Sequence, residues 1–110
     1  MIKFRKSLYF GDSVKSEHRR LIRRLQQGKK IAKDTVLITY AYNGADLFDL
    51  IPAKELKFPY RKRQELFVLG LAGDKEEAAG LVGEMVTEVY EATGGFDVRG
   101  YFGYEAADWR

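Results

Sequence analysis

The segment ELFVLGLAG, residues 65–73, is the feature that most limits the folds open to this 110-residue chain. Its unbroken apolar character fits a strand covered by other elements, because a strand with one wet face alternates apolar and polar residues. Gly73-Asp74 follows at once, and Asp74 with Glu77 forms a D-x-x-E pattern that satisfies the first free amides of a helix from within. A buried strand that passes directly into a well-started helix requires a sheet with a helix packed on it. In that helix, Ala78, Leu81, Val82, Met85, Val86, Val89 and Tyr90 recur at three-and-four spacing as a buried stripe. Glu76, Glu77, Glu84, Glu88 and Glu91 line its wet sides, and Thr93-Gly94-Gly95 ends it.

Ile2 to Phe10 place Ile2, Phe4, Leu8 and Phe10 on one side of a first strand, with the period of two broken at Lys6. Gly11 and Asp12-Ser13 supply a turn and an N-cap. Val14, His18, Leu21, Ile22 and Leu25 then repeat as an amphipathic helix that Gly28 stops. Lys-rich GKKIAKD is a connector, and TVLITYAY, residues 35–42, has the β-branched and aromatic density of a strand. Asn43-Gly44 suits a type I′ hairpin turn, which returns the chain through ADLFDLI to Pro52. AKELKFPYRKRQ, residues 53–64, reads as an ordered loop with one helical turn. FDVRGYFGY, residues 96–104, alternates Phe96, Val98, Phe102 and Tyr104 as a last strand, and EAADWR is a frayed tail or a docking segment.

The predicted order is β-α-β-β-β-α-β in one domain over residues 1–110. It makes a two-layer α+β sandwich: a mostly antiparallel sheet of four to five strands with two helices on one face, a ferredoxin-like variant being the nearest common plan. With 45% hydrophobic and 32% charged residues, the chain buries enough apolar surface to offset its conformational entropy. The absence of cysteine excludes disulfide scaffolds, zinc–cysteine sites, iron–sulfur ligation and thiol catalysis, and fits a cytoplasmic setting. No apolar run approaches the roughly 18–20 residues of a membrane span, so no membrane partner is expected.

The net charge of +3 conceals two regions of opposite sign. Residues 1–33 hold eleven basic side chains against two acidic, a balance of +9, whereas residues 34–110 hold eight against fourteen, a balance of −6. The basic density peaks in HRRLIRRLQQGKKIAK. Arg19, Arg20, Arg23 and Arg24 recur at i, i+1, i+4 and i+5 beside the Leu21, Ile22 and Leu25 stripe, and Lys29 and Lys30 extend the band. Like charges at this spacing repel by a few tenths of a kcal/mol per close pair, so the helix Ser13 to Lys30 is the candidate surface for an anionic partner. Tyr9, Tyr60, Arg61, Arg63 and Tyr101 are subsidiary candidates, the tyrosines for stacking and the arginines of FPYRKRQ for gripping an anion.

No complete catalytic or metal-ligand set accompanies these residues, and no cofactor is expected. His18 lies on an apolar helix stripe without a second base, and Ser7, Ser13 and Ser16 are explained as capping and surface residues. Asp46 and Asp49 face opposite sides of a strand, and Glu84 with Glu88 reads as a solvated acidic face. Gly70 and Gly73 lie where a strand meets a helix, yet they lack the Gly-Lys-Ser/Thr of a phosphate loop, and Asp74, Glu76 and Glu77 repel phosphate. RGYFGY resembles the aromatic strand of RNA-recognition motifs but departs from it at Phe102, where a small residue belongs, so Phe102 and Tyr104 are assigned to the core. Two functions follow as expectations. The first is a non-enzymatic protein-interaction or self-associating module, in which the opposed charges pair. The alternative is a small nucleic-acid-binding protein whose basic helix neutralises phosphates.

Overall fold

The apolar run forms β4 (Leu66–Ala72), and it lies inside the sheet, parallel to β1 (Ile2–Phe10) on one side and antiparallel to β2 (Val36–Tyr40) on the other. β3 (Phe48–Pro52) closes the order β1-β4-β2-β3 by pairing antiparallel with β2. The computed structural model describes residues 2–31, 34–43 and 46–110. Gly44 of the predicted hairpin turn and Lys33 of the connector lie outside the described residues. The result is an α+β fold on a four-stranded mixed sheet, two of whose three pairings are antiparallel.

The helices are α1 (His18–Gln26), the single turn α2 (Pro59–Lys62), the long α3 (Lys75–Thr93) and the short α4 (Val98–Phe102). The last predicted strand is therefore a helix. Asp97 accepts a hydrogen bond from the amide of Gly100 at 3.0 Å and starts a turn, so the four-residue spacing of Val98 and Phe102 buries both, while Phe96 and Tyr104 stay exposed. Arg99 fastens this turn by donating to the Ala41 carbonyl and stacking its guanidinium over Tyr40, whose hydroxyl donates to Gly103 O at 2.8 Å.

The two main helices do not share a face of the sheet, which corrects the sequence expectation and sets the chain apart from a ferredoxin-like variant. Side chains alternate across a strand, and β2 shows the consequence. Leu37 belongs to one buried cluster with Phe4, Val14, Leu21, Ile22, Leu25, Ile51 and Val68, the α1 side. Val36, Ile38 and Tyr40 belong to a second with Leu69, Ala78, Met85, Val89, Val98 and Phe102, the α3 side. β2 is buried at all five positions because both of its faces are covered. The break at Lys6 corresponds to a register shift, in which β1 passes from Phe4 to Tyr9 while β4 passes from Val68 to Gly70.

EAADWR docks. Trp109 is buried against Phe67 and Tyr40 at ring separations of 5.1 and 6.0 Å, and Arg110 exchanges two backbone hydrogen bonds of 2.8 Å with Phe4. The outer edge of β1 is thereby partly paired, which blunts an otherwise open row of donors and acceptors.

At the start of α3, Asp74 accepts from the amide of Glu77 at 2.8 Å as the sequence predicts. Glu77 reaches further back than a capping box requires, accepting from Gly73 N at 2.7 Å and from the Ser13 hydroxyl at 2.7 Å. Ser13 therefore does not cap α1. It lies in a 3-10 turn, Asp12–Val14, and α1 starts at His18 without a side-chain cap. A Cβ on Gly11 would overlap the Glu77 carboxyl and one on Gly73 the Ser13 hydroxyl, so both glycines exist to admit this clasp. It also closes the strand-to-helix junction to phosphate, because the amide that would greet an anion already holds a carboxylate.

Candidate functional site

α1 is anchored by Leu21, Ile22 and Leu25 and turns its charged residues outward. Arg19, Arg20 and Arg23 are exposed, and Lys29 and Lys30 follow the stop at Gly28, whose φ of +70° ends the helix. The four arginines do not act alike. Arg20 pairs with Glu17 at 3.2 Å within its own helical turn. Arg24 is half-buried and donates from Nε and Nη2 to the Lys30 carbonyl at 3.0 and 2.7 Å, so it secures the chain after the helix. Arg19 and Arg23 bond no acidic side chain among the described residues, and with Ile22, Gln26 and Arg110 they line a shallow depression of about 230 Å³.

The segment after β3 joins the same side of the sheet. A 3-10 turn, Ala53–Lys57, packs Ala53 and Leu56 against the cluster that holds Leu21 and Ile22, and α2 continues from it. Lys54, Lys57, Lys62 and Arg63 are exposed along it. Arg61 is committed elsewhere, bonded to Glu55 at 3.4 Å and to Gln64 at 3.1 Å with its guanidinium 5.1 Å from the Tyr60 ring centre. Phe58 and Tyr60 stack at 5.9 Å with 22° between planes, and both are exposed.

Tyr9 and Tyr101 are on the other side. The Tyr9 ring meets Phe102 edge-on in the α3 cluster, and its hydroxyl donates to Glu88. The Tyr101 hydroxyl donates to the other oxygen of the same carboxylate at 2.8 Å. Burial, then the Glu88 carboxylate, pushes the Tyr9 hydroxyl far above the usual tyrosine range, and the bond to Glu88 also raises Tyr101. Neither ring joins the arginine surface. Glu88 is likewise not a wet acid of a Glu84–Glu88 pair, since it turns to the two tyrosines.

The two sides of the sheet carry opposite charge. α1 bears four arginines and no acid, and the segment 53–62 bears Lys54, Lys57, Arg61 and Lys62 against Glu55. α3 with its cap bears Asp74, Glu76, Glu77, Glu84, Glu88 and Glu91 against Lys75. The sheet stands between them, and no ion pair joins α1 to α3 among the described residues. Sequence reasoning identified the arginine helix but missed Phe58, Lys54, Lys57 and Arg110; the aromatic-and-basic density of AKELKFPYRKR was the available signal for the first three. Among the described residues no helix is long and apolar enough to cross a membrane.

No family model, no curated protein and no solved structure matches this chain.

Proposed function

We propose that the protein is a non-enzymatic interaction module that associates with further copies of itself or with a charged protein partner. The observation that carries this reading is the separation of charge across the sheet, basic over α1 and acidic over α3. Among the described residues no ion pair joins α1 to α3, and complementary potentials of this kind steer association and set its partners. The cysteine-free chain suits a cytoplasmic setting. Sedimentation velocity at low and at raised salt tests the reading. Mass above the monomer at low salt that falls as salt screens the charges supports it, and a monomer at every concentration, together with no salt-sensitive capture of a charged protein, overturns it.

A second reading, nucleic-acid binding by the basic side, is favoured by one observation: the exposed Phe58–Tyr60 stack lies among Lys54, Lys57, Lys62 and Arg63, and rings flanked by cations stack on bases. Titrating labelled RNA and DNA at several salt concentrations tests it. Six phosphate contacts give a log–log slope of about −4 to −5, and no binding at low salt removes the reading.

A further inference from the structure

We infer that copies of this chain join head to tail, with the arginine face of α1 in one copy seated in the groove along α3 of the next. The inference rests on the self-association reading and names its surfaces and its geometry. The groove is broad and open, about 830 Å³, and Gly80, Gly83, Glu84, Thr87, Glu91 and Tyr101 are among the residues that line it. Its floor is unusual for an exposed helix. Glycine inside a helix is destabilising by roughly 0.5–1 kcal/mol relative to alanine, and such glycines are expected where another backbone must come close. Among the described residues no other element approaches: beyond the helix's own backbone, a Cβ at Gly80 or at Gly83 would meet no atom within 4 Å. The packing that explains them is therefore with another molecule.

Charge selects the occupant. The groove is rimmed by Glu84 and Glu91, and Arg19 and Arg23 on α1, which form no ion pair among the described residues, are its complement on the same polypeptide. Dimensions agree as well: nine residues of α1 span roughly 13 Å, and the stretch from Gly80 to Glu91 roughly 16 Å, at 1.5 Å per residue. Since the two surfaces lie on opposite sides of the sheet, the contact is heterologous and each added copy exposes a fresh arginine face and a fresh groove. Such contacts build rings or open chains instead of stopping at a two-fold dimer.

Two variants with complementary charges decide the matter. R19E/R23E makes both surfaces acidic and E84R/E91R makes both basic. Each alone is expected to raise the concentration needed for assembly by roughly tenfold or more, and mixing them in equal amounts restores assembly in alternating order. G80Q/G83Q fills the groove with good helix formers; it is expected to raise the melting temperature while weakening assembly by roughly tenfold. The weight-average mass of the unmodified chain climbs with concentration past that of a dimer, or levels off at a closed ring of three or more. Failure of the mixture to recover assembly, undiminished assembly of G80Q/G83Q, or a plateau at the dimer overturns the inference while the self-association reading stands. A chain that is monomeric throughout at low salt overturns both.

Discussion

α1 and α3 are both amphipathic helices laid on the same sheet, yet they are built by different means. α3 is long, is capped by Asp74, is clasped through Glu77 and keeps its buried stripe at three- and four-residue steps through Ala78, Leu81, Met85 and Val89. α1 has nine residues, no side-chain cap, and one of its four arginines spent on holding its own exit. A helix this short draws its stability almost wholly from the packing of one face. The difference teaches that α3 with the sheet is the scaffold, whereas α1 is a charged surface fixed by three apolar anchors.

The strongest way to break this comparison is to remove an anchor of the scaffold. Met85 is fully buried, so Met85→Ala is expected to destabilise the protein by about 2–5 kcal/mol, read from the midpoint of urea unfolding. A loss under 1 kcal/mol would mean that the α3 side collapses easily and is no scaffold. Next come the helix starts. Asp74→Ala is expected to cost about 1 kcal/mol, while Glu17→Ala at the uncapped start of α1 changes the midpoint by less than about 0.5 kcal/mol. Equal effects would erase the contrast between the two ends.

Acid sharpens the comparison further. The Ser13 hydroxyl, then the Gly73 amide, hold the Glu77 carboxyl below the usual glutamate range. A carboxyl depressed in the folded state contributes stability above its unfolded pKa, about 4.3, and loses that contribution as pH falls through its folded value. Thermal unfolding of Glu77→Gln should therefore fall less steeply than that of the unmodified chain as pH drops from 5 to 2, and parallel curves would show that the clasp does not depend on charge. The smallest expected effect is a gain. Gly80→Ala, which places a methyl in open space on the exposed side of α3, should stabilise the monomer by roughly 0.5–1 kcal/mol, whereas Gly28→Ala at a positive φ should destabilise it by a similar amount. A loss of stability in Gly80→Ala would reveal an intramolecular reason for that glycine.

Much of the scaffold was legible because its signals are local. An apolar run, a turn and a D-x-x-E cap within 13 residues announce β4 and α3, and the β-branched run at 36–40 announces β2. What escaped is what depends on meeting another element. Phe96, Val98, Phe102 and Tyr104 satisfy a strand period, but Val98 and Phe102 also satisfy a helical one, and the Asp97 bond to Gly100 decides between them. Which face each helix takes was hidden because Leu37 and Ile38 are equally apolar and only their partners differ. At the candidate surface, the exposure of Arg19 and Arg23 followed from their place beside the apolar stripe. The withdrawal of Arg24 needed the return of the Lys30 carbonyl, and that of Tyr9 and Tyr101 needed a shared carboxylate 79 and 13 residues away in sequence.

The docked segment after α4 has an optical consequence. The chain contains a single tryptophan, and it sits between Phe67 and Tyr40 on the segment whose next residue pairs with β1. Indole emission from this protein is therefore a gauge of one event, the peeling of the last few residues from the sheet. Compared with far-ultraviolet circular dichroism in the same titration, it would separate a tail that lifts first from a sheet and helices that melt together.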